Sequence, residues 1–312
     1  MTRLLFFGDI HYTSTPPRGR TSAYSAQILD KLARIAKLAK TLKVDLAVCT
    51  GDLFHRKNPP DADVTALIRA FKAFPGGRIA SVLGNHDTTK PGDKRGTAYE
   101  VLCAAQVVFD FADGPYDCGG GIALLGSPWR PEDTEDALSM YWRAENEIRV
   151  SHGMLVKEDR EYPFPATYAG DVDGHGLLVN GHNHSPFEVG NVVNLGSICR
   201  IGRSESCANA GARRLLYVVV DDTGKISRRF IPLPLIPDED VFVPEDTPDA
   251  EDVASENDRG ARLEEFASDV ADGVVSTGST PDELLDAMTG ADPAARERAR
   301  KYLADAKERL SA

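Results

Sequence analysis

Residues 4–7, 45–50 and 79–83 are apolar runs, and each stops at a glycine followed by Asp or Asn: Gly8-Asp9, Gly51-Asp52 and Gly84-Asn85. The stretches between them have helical periodicity. Over about 22–42, Ile28, Leu29, Leu32, Ile35, Ala36 and Ala39 recur at helical spacing, with Lys31, Arg34, Lys37 and Lys40 on other faces. A second helix is predicted over about 62–74. Strands separated by helices do not close as hairpins; they form parallel neighbours with the helices packed on the sheet. The fold class is therefore α/β, in which ligands sit just beyond the carboxyl ends of the strands.

Later apolar runs are shorter, at 122–125, 148–150, 177–179, 192–195, 215–220 and 226–231. Three of them end at or lead into His152, His182 or Asn194-Leu195-Gly196-Ser197. Six of the seven histidines lie in or beside five short motifs: Gly8-Asp9-Ile10-His11, Gly51-Asp52-Leu53-Phe54-His55, Gly84-Asn85-His86-Asp87, Ser151-His152-Gly153 and Gly181-His182-Asn183-His184. Only His175 stands apart. Core histidines would not choose glycine-flanked strand ends so consistently. Such a set matches the need of two divalent ions about 3.5–4 Å apart, which take several oxygen and nitrogen ligands and a shared carboxylate. Asp9 and His11, two residues apart, share one face of a regular strand, and a chain that turns past the strand end lets both close on one ion. Gly8 suits that irregular backbone. The same holds for His182 and His184. A ligand set of carboxylate, amide oxygen and imidazole without thiolate suits Mn²⁺, with Fe or Zn²⁺ as alternatives.

Composition sets the remaining bounds. With 312 residues and 42% hydrophobic content, the chain has room for a large domain and an appendage. No apolar run approaches the roughly 20 residues of a membrane span. Five cysteines without a CxxC pair read as free thiols in a reducing cytoplasm, so a cytoplasmic protein is expected. The net charge of −12 is unevenly spread: residues 237–312 hold 21 acids and 8 bases, leaving 27 acids and 28 bases in residues 1–236. An acidic tail on a near-neutral body does not exclude a phosphodiester substrate.

The five motifs, in this order over residues 8–184, resemble the calcineurin-like metallophosphoesterase superfamily. That resemblance implies a four-layer sandwich, two mixed β-sheets flanked by helices, here with a small helical C-terminal appendage. It further implies that Asp9, His11, Asp52 and His184 hold one metal ion, and that Asp52, Asn85, His152 and His182 hold the other. His86, oriented by Asp87, would lie beside the scissile phosphate, and a water activated by the two ions would attack. The segment Gly51-Asp52-Leu53-Phe54-His55-Arg56-Lys57-Asn58-Pro59 is similar to that of the Mre11/SbcD-type DNA repair nucleases, which adds His55 as a catalytic candidate. Asn194-Leu195-Gly196-Ser197-Ile198-Cys199-Arg200 resembles a later stretch of the same family, although Leu195 replaces its usual proline.

A DNA exonuclease or endonuclease acting in repair or processing is thus the leading expectation. The alternative is a phosphodiesterase or phosphomonoesterase acting on small nucleotides. Arg18, Arg20, Arg56, Lys57 and Arg200 are candidates for contacting phosphate, and Lys90, Lys94 and Arg95 follow the third motif. The organisation reads as a catalytic domain over 1–236, an acidic flexible linker over 237–257 and a helical segment over 258–312. By resemblance, that last segment would dock on a Rad50/SbcC-like coiled-coil ATPase, and the chain would pair as a homodimer.

Overall fold

The structure, a computed structural model, describes residues 1–131, 141, 144–160, 165–172, 174, 176–205 and 213–244. Its first sheet contains β1 (Thr2–Phe7), β2 (Leu46–Cys49), β3 (Ile79–Ser81) and β4 (Val108–Asp110), all parallel and adjacent in chain order. The hairpin of β13 (Arg214–Val220) and β14 (Ile226–Pro232) then runs antiparallel along β1, with Leu4 opposite Val218. The second sheet has the order β11 (Phe187–Val189), β12 (Val192–Asn194), β10 (Leu177–His182), β7 (Glu147–Gly153), β6 (Ala123–Ser127) and β5 (Tyr116–Asp117). Its four inner strands are parallel, and β11 and β5 close the edges antiparallel. Both six-stranded sheets are therefore mixed, as the resemblance implied.

The alternation of side chains along β1 sets the layers. Leu5 and Phe7 join Ala47, Cys49 and Ile79 under the helices, while Leu4 and Phe6 turn the other way. Helix α1 (Tyr24–Thr41) lays down Tyr24, Ile28, Leu32, Ile35, Ala36 and Ala39, the stripe its periodicity predicts. Helix α2 (Asp61–Phe71) adds Val64, Leu67 and Phe71, and α3 (Ala98–Ala104) starts where the Thr97 side chain accepts from the Glu100 amide. Each fully buried Leu, Ile or Phe stabilises the layer by roughly 1.5–3 kcal/mol. Between the sheets, Leu4, Phe6, Val48, Ala80, Leu216 and Val218 meet Leu124, Ile148, Val150, Val179 and Val193. The outer face of the second sheet buries Leu178, Phe187 and Val192 against Tyr141, Ala169 and Leu155, the last on β8 (Leu155–Val156), which pairs parallel with β9 (Thr167–Tyr168).

Residues 237–244, which composition assigns to the start of the linker, close back on the body. Helix α4 (Asp238–Val241) is followed by Phe242, and both Val241 and Phe242 are buried. The Thr21 amide donates to the Val241 carbonyl and the Val243 amide to the Gly19 carbonyl, each at 3.0 Å. Acidic and proline content masks these two apolar anchors from a composition-based reading. The rest of the linker and the helical segment 258–312 lie outside the described residues, as do His175 and Cys207. Cys49, Cys103, Cys118 and Cys199 are free thiols. No helix among the described residues is long and apolar enough to cross a membrane.

Candidate metal centre

The five motifs converge at the carboxyl ends of β1, β2, β3, β7 and β10. The backbone there is irregular, but at the ligands themselves: His11, Asp52 and His182 take left-handed φ values of 48°, 48° and 70°. Non-glycine residues rarely adopt this region, and they do so where surrounding contacts hold them. Gly8 is needed instead for space, since a Cβ there would lie 1.5 Å from the Gly196 carbonyl oxygen. Gly84 serves likewise: a Cβ would meet Asp52 Oδ1 at 2.1 Å.

Asp52 stands at the centre. Its Oδ1 accepts from the His86 amide at 2.9 Å, while Oδ2 lies 3.4 Å from His11 Nε2 and 3.2 Å from His152 Nε2. On one side, Asp9, His11 and His184 form a group able to hold a metal ion; on the other, Asp52, His152 and His182 form a second. Asn85 Oδ1 belongs to the second group, 3.1 Å from His152 Nε2 and 2.9 Å from His182 Nδ1. The floor of the site, Asp9, His11, Asp52 and His152, is buried, whereas Asn85, His86, His182 and His184 are partly exposed at the rim.

The donor set fits cations on chemical grounds. His152 Nδ1 donates to the Thr50 carbonyl at 2.8 Å, so its Nε2 is turned toward the Asn85 and Asp52 oxygens. His184 Nδ1 faces the Glu205 carboxylate at 3.0 Å, and its Nε2 lies 3.0 Å from His11 Nε2. Acceptors aimed at one another at contact distance repel unless a proton or a cation lies between them. Burial holds the His11 imidazole well below its usual range and takes His182 down to about 3, so both are neutral and metal-competent. Burial also opposes charge on His152, but the carboxylates of Asp52 and Asp9 outweigh it and lift His152 to about 9. Metal uptake there would release a proton.

Supporting groups hold the ligands. Asp9 accepts from the Thr50 hydroxyl and the His182 amide, each at 2.8 Å. Buried Asn180 links three strand ends, accepting from the Ser151 hydroxyl at 2.7 Å and donating to the Gly153 carbonyl at 2.9 Å and Asn194 Oδ1 at 2.8 Å. Arg213, buried, pairs with Glu205 at 2.5 Å. Thr50, Asn180, Glu205 and Arg213 carry no motif signal in the sequence. For Thr50 and Asn180, position directly before the second and fifth glycine motifs was the available clue.

The catalytic candidates divide. His86 joins His11 and His55 in a third imidazole group, with ring centroids 4.9 Å from His11 and 5.9 Å from His55. His86 Nδ1 donates to the His55 carbonyl at 2.8 Å, leaving Nε2 for other contacts. Asp87 does not orient His86. Its carboxylate turns the other way and accepts the amides of Leu53, Phe54 and Gly84 at 2.9, 3.1 and 3.1 Å. Burial and the nearby Asp52 carboxylate push Asp87 up to about 8, against the pull of those amides.

The basic candidates scatter. Arg18 is exposed, and Arg56 and Lys57 are half-buried in the loop after His55. Arg20 and Arg200 are buried instead, with guanidinium carbons each 5.4 Å from the Phe242 ring centre. Arg200 also pairs with Asp238. Lys94 is tied to Asp110 at 2.6 Å and Arg95 to Asp93 at 2.7 Å. Sequence places these cations near the motifs but cannot show which acids or rings claim them.

The sequence pattern of the calcineurin-like phosphoesterases matches residues 2–200, the span that carries every motif and all strands of the two sheets except the β13–β14 hairpin. This chain belongs to that family. Family membership makes it a metal-dependent hydrolase of phosphate esters. Among curated proteins, the DNA double-strand break repair protein Mre11 of Haloferax volcanii is 25% identical over 197 residues, which is 60% of this chain. This chain spans only 42% of that relative's length. One solved crystal structure matches 73% of the chain and 98% of its own length at 15% identity, with a TM-score of 0.40.

Proposed function

We propose that the chain is a nuclease that hydrolyses DNA phosphodiester bonds at a dinuclear centre, with Mn²⁺ as the metal. The observation that carries this reading is the sharing of Asp52 Oδ2 between His11 on one side and His152 on the other. Asp9, His11, Asp52 and His184 would hold one ion, and Asp52, Asn85, His152 and His182 the other. The chemistry supplied at such a centre is polarisation of phosphoryl oxygen and activation of water at neutral pH. The protein's own part is to fix the ligands before substrate arrives. Thr50 does this for Asp9 and His152, and the backbone amide of His86 does it for Asp52. His86, held by the His55 carbonyl, presents Nε2 at the rim, where it stabilises charge on the phosphate or protonates the departing oxygen. The DNA substrate draws support from the name of the Haloferax volcanii relative and from the His55-containing motif. Docking of residues 258–312 on a coiled-coil ATPase belongs to the same proposal.

A second reading has its own support. Because Arg20, Arg200, Lys94 and Arg95 are engaged by Phe242, Asp238, Asp110 and Asp93, fewer cations remain to track a long phosphate backbone. A small-nucleotide phosphodiesterase or monoesterase would not need them. Incubation with Mn²⁺ and linear duplex DNA, single-stranded DNA, bis-p-nitrophenyl phosphate or p-nitrophenyl phosphate separates the two. Release of nucleotides from DNA is the expected result; turnover of p-nitrophenyl phosphate alone contradicts the nuclease reading.

A further inference from the structure

The imidazoles at the two halves of the centre are oriented by different means. In the half built on Asn85, His152 is fixed by a main-chain carbonyl, that of Thr50. In the other half, the Nδ1 of buried His11 has no hydrogen-bond partner among the described residues, and His184 is fixed by a side-chain carboxylate, Glu205. Glu205 is not free to swing. Its second oxygen takes the Arg213 guanidinium at 2.5 Å, and its first also receives the Ile201 amide at 3.4 Å. Arg213 additionally donates to the main-chain carbonyl of His184. One buried arginine thus holds both the backbone of the ligand and the carboxylate that aims its ring. Gly196 packs against the same corner: a Cβ there would lie 2.5 Å from the His184 carbonyl oxygen and 3.1 Å from Arg213 Nη1.

From this closed set of contacts we infer that Glu205, clamped by Arg213, is a positioning residue that sets the affinity of the Asp9–His11–His184 half of the centre without governing the other half. A carboxylate accepting the proton of Nδ1 fixes the tautomer that bares Nε2, holds the ring plane and makes Nε2 a stronger donor to a cation. Loss of such a partner weakens metal binding by roughly 10–100-fold. The other half has its own carbonyl partner and does not depend on Glu205. The inference rests on the dinuclear reading above.

The test is calorimetric titration of the metal-free full-length protein with Mn²⁺, read alongside the electron paramagnetic resonance of the bound ions. Wild type, Glu205→Gln and Glu205→Ala are compared, each first shown to melt cooperatively. Wild type should take up two ions with a spin-coupled signal. Both variants should keep one ion at wild-type affinity and lose affinity for the other by roughly 10–100-fold, with an uncoupled signal at intermediate Mn²⁺. Glutamine keeps the side-chain shape, so it carries the comparison if the alanine variant does not fold. Two ions at wild-type affinity in the variants, or equal weakening of both, overturns the role of Glu205 alone. A wild-type protein that takes up fewer than two ions overturns the dinuclear reading, and this inference with it.

Discussion

Asp52 combines a left-handed backbone, a buried carboxylate and contacts to both halves of the centre. Replacing it with alanine is predicted to abolish turnover and both metal ions, whereas near-normal hydrolysis would refute its assignment. Gly84→Ala should produce much of the same loss, because the added methyl would occupy the space of Asp52 Oδ1. His86→Ala should behave differently: metal content is retained while turnover falls by roughly 10²–10⁴-fold, the scale of a lost acid or charge-stabilising group. Loss of metal in that variant would move His86 into the ligand set. At this scale the sequence was unusually legible. Residues of the right chemistry sit beside glycines because ligand side chains press on Gly51, Gly84 and Gly181 and the Gly196 carbonyl presses on Gly8. Asp87 marks the limit, since its motif neighbour His86 suggested a partnership that the turn geometry denies.

Among the elements, Asp87 works as a clamp between the loop after β2 and the turn after β3, gathering the amides of Leu53, Phe54 and Gly84. Asp87→Asn retains one acceptor oxygen but sets its amide group against a buried N–H. The unsatisfied donors should cost about 1–3 kcal/mol, measured by urea unfolding of the metal-free protein. An unchanged unfolding midpoint with lost turnover would instead return Asp87 to a catalytic role. Strands β1, β2 and β3 were readable because the long apolar stripe on α1 and the strand-end glycines are local signals, whereas β4, three residues long, carries neither. The placement of β13 against β1 was not, since it pairs residues about as far apart as Leu4 and Val218. Nor was α3, whose seven residues carry little periodicity beyond the cap at Thr97. The Glu205–Arg213 pair is hidden for the same reason: its meaning appears only once β10 and the segment before β13 meet.

For the molecule as a whole, the segment of 237–243 ties the far end of the described chain to the loop before α1. Phe242 lies among the guanidinium groups of Arg20, Arg200 and Arg203 at 5.4, 5.4 and 5.6 Å. Phe242→Ala removes a buried aromatic ring and should lower stability by about 3 kcal/mol, seen as a lower denaturant midpoint with metal affinity unchanged. Chelation acts at the same scale, because ions that bind only the folded state stabilise it by mass action. Each site filled at about 100 times its dissociation constant adds about 2.7 kcal/mol, so the melting temperature should fall on chelation and recover with Mn²⁺. The central claim is that two cations share Asp52. Anomalous diffraction from crystals soaked in Mn²⁺ tests it most directly. Two peaks flanking Asp52, one beside His11 and His184 and the other beside His152 and His182, are predicted; a single peak, or none, would contradict it.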